Sequence, residues 1–213
     1  MRLYNYYRSS ASFRVRIVLA LKGLPYDYEV VHLQKGEQHR GEFATHSADH
    51  LVPMLQLDEG THLLQSLAIC EYLDEVHPQP PVMPADALGR ARVRALAQMV
   101  ACDIHPINNL RVLNHLVKTL GVSEDDKNAW YAHWVTLGLD ALERRLHEAQ
   151  TGRFCHGDSP TLADACLVPQ IFNAQRFHVP LQPYPRTMQI FDACMALPAF
   201  ADSQPSACPE ATA

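Results

Sequence analysis

The spacing of apolar residues changes several times along the first eighty positions, and each change predicts an element. Leu3-Tyr4-Asn5-Tyr6-Tyr7 reads as a strand, and Phe13, Ile17, Ala20, Leu21 and Leu24 then share one face at helical period. Gly23 and Pro25 supply stop signals for that helix. Tyr28 to Leu33 alternates well enough to predict a second strand, and the polar stretch from Gln34 to His50 predicts a loop with a short helix. Met54–Leu57 and His62–Leu64 predict two short strands joined by a turn at Asp58-Glu59-Gly60. Ser66 is then placed to cap a helix carrying Ile69, Leu73 and Val76. The order is βαβ followed by ββα, a small mixed sheet with helices packed on it.

Four prolines between His77 and Asp86 (Pro78, Pro80, Pro81 and Pro84) mark a linker, after which the periodicity is helical throughout. Two domains are predicted, an α/β domain over residues 1–80 and an all-α domain over 88–213. Leu88 to Leu120 predicts a long helix that Pro106 bends or interrupts. Ser123 to Ala149 predicts another, with Trp130, Trp134, Leu137 and Ala141 on its core face. Thr161-Leu162-Ala163-Asp164 is a capping box opening a buried helix from Leu162 to about Gln175, and a shorter helix runs from about Arg186 to Ala196. The tail beyond Ala201 is rich in Ala, Pro and Ser and is predicted to fray.

Composition narrows the partners. A chain of 213 residues that is 47% hydrophobic supports a proper core, and a formal charge of −5 argues against general binding to nucleic acid or a membrane surface. The longest aliphatic run, Ile17 to Leu21, is far too short to span a bilayer, and no signal-peptide pattern opens the chain. The expectation is a soluble, cytoplasmic protein. Six cysteines without a CxxC pair predict reduced, mostly buried thiols. Twelve histidines include His46 and His50 four apart, but no carboxylate or thiol completes a ligand pattern, so no metal is expected.

Candidate chemistry gathers where the first strand meets the first helix, at Arg8-Ser9-Ser10-Ala11-Ser12. Such a turn offers unpaired N–H groups and the positive end of a helix dipole, so it favours an anion. Val52-Pro53 enters the third strand either as an ordinary trans proline or as a cis bond that turns the Val52 backbone outward. Gln65-Ser66 opens a helix, and its hydroxyl and N–H groups serve equally as a cap or as a carboxylate holder.

Taken together these elements resemble the glutathione transferase superfamily: a thioredoxin-like N-terminal domain, a proline linker and an all-helical C-terminal domain. Ser9-Ser10-Ala11-Ser12-Phe13-Arg14-Val15-Arg16-Ile17 is similar to the zeta-class signature, and Cys102-Asp103-Ile104-His105-Pro106-Ile107-Asn108-Asn109-Leu110-Arg111 to a second zeta-class stretch. The class comprises maleylacetoacetate isomerases and, in some bacteria, maleylpyruvate isomerases. The resemblance implies glutathione as cofactor, its γ-glutamyl carboxylate at Gln65 and Ser66 and its cysteinyl backbone against Val52 beside a cis Pro53. It further implies Ser9 as donor to the sulfur with Ser10 nearby. His39, Asp103, His105 and Asn109 would lie around the tripeptide, Asp103 reaching toward a neighbouring subunit of a homodimer. Arg8, Arg111 and Arg176 would meet a small dicarboxylate or keto-acid substrate, where otherwise each reads as a surface ion-pair residue.

Two departures stand out: Ala11 replaces a common cysteine, and Ser47-Ala48 replaces a common Asn-Pro. The first is tolerable if glutathione brings the sulfur. Lowering a thiol pKa by one unit takes about 1.4 kcal/mol, within reach of one charge-assisted hydrogen bond plus a helix N-terminus. The implied activity is cis–trans isomerisation of maleylacetoacetate to fumarylacetoacetate in aromatic amino-acid catabolism. Maleylpyruvate isomerisation and general glutathione transfer are the alternatives, and a catalytically silent scaffold is the non-enzymatic one.

Overall fold

A computed structural model describes residues 1–211 of the chain. Contacts divide the protein into two compact units: Met1–Met83 joined by the segment from Met195 onward, and Pro84–Cys194.

Unit 1 is built from β1 (Arg2–Asn5), α1 (Ser10–Leu21), β2 (Asp27–Val30), α2 (Gly41–His46), β3 (Met54–Gln56), β4 (His62–Leu64) and α3 (Ser66–Val76). The sheet order is β2-β1-β3-β4, with β2 parallel to β1 and the other pairings antiparallel. The parallel pair requires a crossover, which α1 provides. Tyr4 pairs with Met54 and Met54 with Leu64, forming one row on which Phe43 of α2 packs. Leu3, paired with Leu55, points the other way by alternation. The first strand ends at Asn5 rather than Tyr7 because the chain turns at once, Ser9 N–H donating to the Tyr6 carbonyl at 2.9 Å.

Helix α1 differs from its predicted amphipathic reading. Every residue from Ser12 to Leu19 is buried and Ala20 is exposed, because α3 and α9 (Pro198–Ala201) both pack on it. The C-terminal segment, predicted to fray and assigned with 88–213 to the helical domain, instead lies on unit 1. Arg16 Nε donates to the Ser203 carbonyl at 3.0 Å, while the Glu210 carboxylate accepts the Tyr7 N–H at 3.2 Å and the Tyr28 hydroxyl at 2.7 Å. Cys208 and Ser203 are buried there. Composition does not reveal these anchors, since they exist only once the sheet and α1 have formed.

Unit 2 contains α4 (Ala87–Gln98), α5 (Leu110–Lys118), α6 (Glu124–Leu146), α7 (Leu162–Arg176) and α8 (Pro185–Met195). The single helix predicted over 88–120 is broken into α4, a π-helical segment Met99–Ile104, a 3₁₀ turn Pro106–Asn108 and α5. Pro106 has no N–H to donate back along the helix, and the turn before it is widened, His105 N–H reaching the Val100 carbonyl at 2.9 Å. Gly138 lets α6 approach this segment closely, for a Cβ there would overlap the Ile104 side chain. The buried face of α6 carries Tyr131, Val135, Leu139, Leu142 and Leu146, not the predicted Trp130–Trp134–Leu137 face. Leu137 is exposed and the two indoles are half-buried, with Trp130 Nε1 donating to the Ile107 carbonyl at 3.1 Å.

Candidate functional site

Strand register brings three of the predicted segments of unit 1 to one end of the sheet. Met54 pairs with both Tyr4 and Leu64, so the residues just before β3, Val52 and Pro53, lie level with the chain leaving β1 and with the chain entering α3. The Val52-Pro53 bond is cis. Val52 is buried, and among the described residues its backbone N–H and C=O form no hydrogen bond. That leaves the Val52 backbone groups free to pair with the backbone of a bound peptide. The loop ahead of it accommodates the Ser47-Ala48 departure, for the Ser47 hydroxyl bonds Asp49 Oδ1 at 2.8 Å and Asp49 Oδ1 accepts the Leu51 N–H at 3.3 Å.

Ser9 is the N-cap of α1. Its Oγ accepts the Ser12 N–H at 3.2 Å, and among the described residues nothing accepts its own hydroxyl hydrogen. A hydroxyl that caps with a lone pair keeps its O–H to donate elsewhere. Ser10, the first residue of α1, is buried. Arg8 is exposed beside it, its guanidinium 4.9 Å from the Tyr7 ring centroid.

The start of α3 corrects the reading of Ser66 as cap. Gln65, at φ 68°, holds the cap position with no side-chain hydrogen bond to the helix, and Ser66 is the first helical residue. Its Oγ instead accepts Arg14 Nη1 at 3.2 Å. The first N–H groups of α3 therefore have no side-chain acceptor among the described residues. His39 ends the 3₁₀ turn Glu37–His39, exposed, with its ring 4.8 Å from that of His50. Two residues that sequence reasoning passed over matter most here. Arg14 and Arg16 are nearly sealed from solvent at 2% exposure each, where helical arginines ordinarily face water. Arg16 bonds Asn5 Oδ1 at 3.0 Å and the Tyr7 carbonyl at 3.1 Å, fixing the chain as it enters the Arg8-Ser9 turn. Their only sequence signal is the Arg-Val-Arg spacing, which does not say where the side chains end.

The remaining candidates belong to unit 2 and fall in two places. Asp103 is exposed on the π-helical segment, and His105 follows it, half-buried. Asn109 caps α5, its Oδ1 accepting the N–H groups of Arg111 at 3.1 Å and Val112 at 3.2 Å, which leaves its Nδ2 as the group able to meet a ligand. The Arg111 side chain is exposed on the first turn of α5. Arg176 ends α7 with its guanidinium 4.9 Å from the Phe177 ring centroid. Phe177 stacks on Tyr131 at 3.8 Å, and burial, opposed by the nearby Arg176, pushes the Tyr131 phenol up to about 12. It remains a neutral hydroxyl at physiological pH.

Thr161 and Asp164 serve folding, as their spacing predicts. Asp164 accepts the N–H and hydroxyl of Thr161 at 2.7 and 2.8 Å and the N–H of Cys155 at 2.8 Å. Cys102 is exposed and the other five cysteines are buried and free. Among the described residues no cluster suited to a metal occurs, and no helix is long and apolar enough to cross a membrane.

In unit 1 three groups that suit a cysteine-containing tripeptide are present: a hydroxyl donor at a helix start, the unpaired Val52 backbone and an uncapped second helix start. Comparison with known proteins agrees. The family model for the glutathione S-transferase N-terminal domain matches residues 8–76. The chain is 50% identical to a maleylpyruvate isomerase of Ralstonia sp, over 99% of both chains. It superposes on the holo structure of a maleylpyruvate isomerase, described as a bacterial zeta-class glutathione S-transferase, with a TM-score of 0.95, 49% identity and 99% coverage of both. A maleylacetoacetate isomerase from Methylobacterium extorquens AM1, solved with malonate and GSH, superposes with a TM-score of 0.96 at 38% identity, again over 99% of both chains.

Proposed function

The chain belongs to the zeta-class glutathione transferases, the family of the maleylpyruvate and maleylacetoacetate isomerases, and we propose that it is a glutathione-dependent isomerase converting maleylacetoacetate to fumarylacetoacetate. The observation that carries this reading is the set of unsatisfied groups at one end of the unit 1 sheet: the Ser9 hydroxyl hydrogen, the Val52 backbone and the bare start of α3. They suit a thiol, a peptide edge and a carboxylate in turn, the three features of glutathione.

When bound, glutathione supplies the thiolate that adds reversibly to the cis double bond and so frees it to rotate. The protein's own residues do the rest. Ser9 donates its hydroxyl hydrogen to the sulfur, and the N-terminus of α1 favours the negative charge there. Ser10 adds a second polar group beside it. Val52, held outward by the cis Pro53, pairs with the cysteinyl backbone. Gln65 and Ser66 hold the γ-glutamyl carboxylate. His39, Asp103, His105 and the Nδ2 of Asn109 are assigned to the remainder of the tripeptide. Arg8 stabilises charge developing on the substrate carbonyl, an electrostatic contribution of the oxyanion-hole kind. Arg111 and Arg176 recognise the substrate's acidic groups, for which planar guanidinium suits best. We assign it to the cytoplasm as a homodimer, as the family resemblance implies.

Ala11 fits this scheme because the sulfur comes from the cofactor. Maleylpyruvate is the second reading, favoured by the identity to the Ralstonia enzyme. The test is to incubate the protein with each cis acid and sub-stoichiometric glutathione, following isomerisation and free thiol together. Many turnovers of maleylacetoacetate without thiol loss are expected. Faster turnover of maleylpyruvate would favour the second reading, and stoichiometric thiol loss would make the protein a transferase.

A further inference from the structure

Three arginines are buried among the described residues, and one of them leaves two of its side-chain nitrogens unpaired. Arg92 bonds the Cys155 and Arg145 carbonyls and Thr151 Oγ1 at 2.7, 3.1 and 2.7 Å, with Glu148 at 3.2 Å from its Nε. Arg16 uses all three nitrogens on Ser203, Asn5 and Tyr7. Arg14 makes a single side-chain bond, from Nη1 to Ser66 Oγ, and its Nε and Nη2 are buried with no acceptor. No carboxylate among the described residues pairs with it. A desolvated positive charge without a counter-charge is costly. It lies beside the start of α3, an eleven-residue helix whose first N–H groups have no side-chain acceptor.

We infer that Arg14 is a positioning residue for the carboxylate of a ligand held at the start of α3, acting through Ser66, and that the bound carboxylate is its missing counter-charge. By donating into one lone pair of Ser66 Oγ, Arg14 leaves the hydroxyl hydrogen of Ser66 free to donate. An anion at the helix start then receives the Ser66 hydroxyl and the helix N–H groups, one hydroxyl away from a positive charge that water does not screen. Arg14 thereby sets specificity: it favours a ligand whose γ-glutamyl end is charged over one identical except for that charge. Nε and Nη2 are closed to solvent, so the ligand is reached through Ser66 and not by direct contact. This inference rests on the glutathione reading of the site and extends it to a residue outside that reading.

Calorimetric titration with two ligands tests it: glutathione, and the same tripeptide with the γ-glutamyl α-carboxylate replaced by hydrogen. In Arg14→Met the affinity for glutathione is expected to fall by about ten- to a hundredfold, the range of a charge-assisted hydrogen bond, with the KM for glutathione rising and kcat at saturation little changed. Affinity for the decarboxylated ligand is expected to stay within about twofold of wild type, and Arg14→Lys to restore most of the loss. Equal losses for both ligands would overturn the inference while leaving the glutathione reading intact. If wild-type protein binds neither ligand, the glutathione reading itself fails, and the inference with it. Should Arg14→Met not fold, Arg14→Gln is titrated with the same two ligands. A loss confined to glutathione supports the route from Arg14 through Ser66, and equal losses contradict it.

Discussion

In unit 2 each helix of eight residues or more begins on a side-chain acceptor. Asp86 takes the Gly89 N–H at 2.8 Å for α4, Asn109 caps α5, and Ser123 takes the Asp126 N–H at 3.1 Å for α6. Asp164 closes the box at α7. For α8 the acceptor comes from another helix, Glu143 of α6 receiving the Arg186 and Thr187 N–H groups, each at 2.8 Å. Unit 1 finishes its helices less completely. α3 has no side-chain cap, and α1, capped by a serine hydroxyl as α6 is, has no acidic residue in its first turn where α6 has Glu124, Asp125 and Asp126. The same physics, unpaired N–H groups and a positive helix end, is spent on folding in one unit and left available to a ligand in the other.

The contrast can be broken most severely at Asp164. Replacing it with alanine strands the Thr161 and Cys155 N–H groups in a fully buried site. Asp164→Ala is expected to cost about 3–5 kcal/mol, read as a lower midpoint in urea unfolding, while glutathione affinity of the protein that remains folded is unchanged. At Ser9 the balance reverses. Ser9→Ala is expected to reduce isomerisation at least about tenfold for about 1 kcal/mol of stability. A rate within about twofold of wild type would show that this cap serves folding only.

A pH series sharpens the case of Glu143. Burial works to raise its pKa, but the Thr187 hydroxyl and the N–H groups of Thr187 and Arg186 outweigh burial and hold it below the ordinary carboxylate range. A carboxyl depressed in the folded state stabilises above its unfolded pKa and loses that contribution as pH falls through the folded one. The gap in urea midpoint between wild type and Glu143→Gln is therefore expected to be widest near neutrality and to close below about pH 4. The smallest effect is expected at the tail. Glu210→Ala removes the acceptor of the Tyr7 N–H, costs about 1 kcal/mol, and shows as faster hydrogen exchange at Tyr7 with α7 unaffected.

Local signals carried much of this architecture. The strands end within three residues of their predicted ends, β4 on them, and the Thr161–Asp164 box and the proline linker read directly, because each is set by neighbours in sequence. What depended on distant partners did not read. The core face of α6 was misplaced because Trp130 and Trp134 have apolar surface enough to suggest burial, yet Trp130 bonds the Ile107 carbonyl of the Pro106–Asn108 turn and Trp134 packs edge-on against Trp130. The tail looked like a frayed end because its anchors, Arg16, Tyr7 and Tyr28, are remote in sequence. Ser9, Val52, Gln65 and Ser66 were legible through a family resemblance and a general rule about helix starts. Arg14 was not, since an arginine about one turn into a helix carries no mark of the hydroxyl it will touch.

If the Ser9-capped start of α1 holds a thiolate, the ionisation of bound glutathione reports it without reference to any substrate. Ultraviolet titration of the thiolate in the binary complex is expected to place the sulfur's pKa at about 7.5 or lower, against about 8.5 for a free thiol, and Ser9→Ala is expected to return it toward the free value. A wild-type complex that titrates like free glutathione would contradict the account.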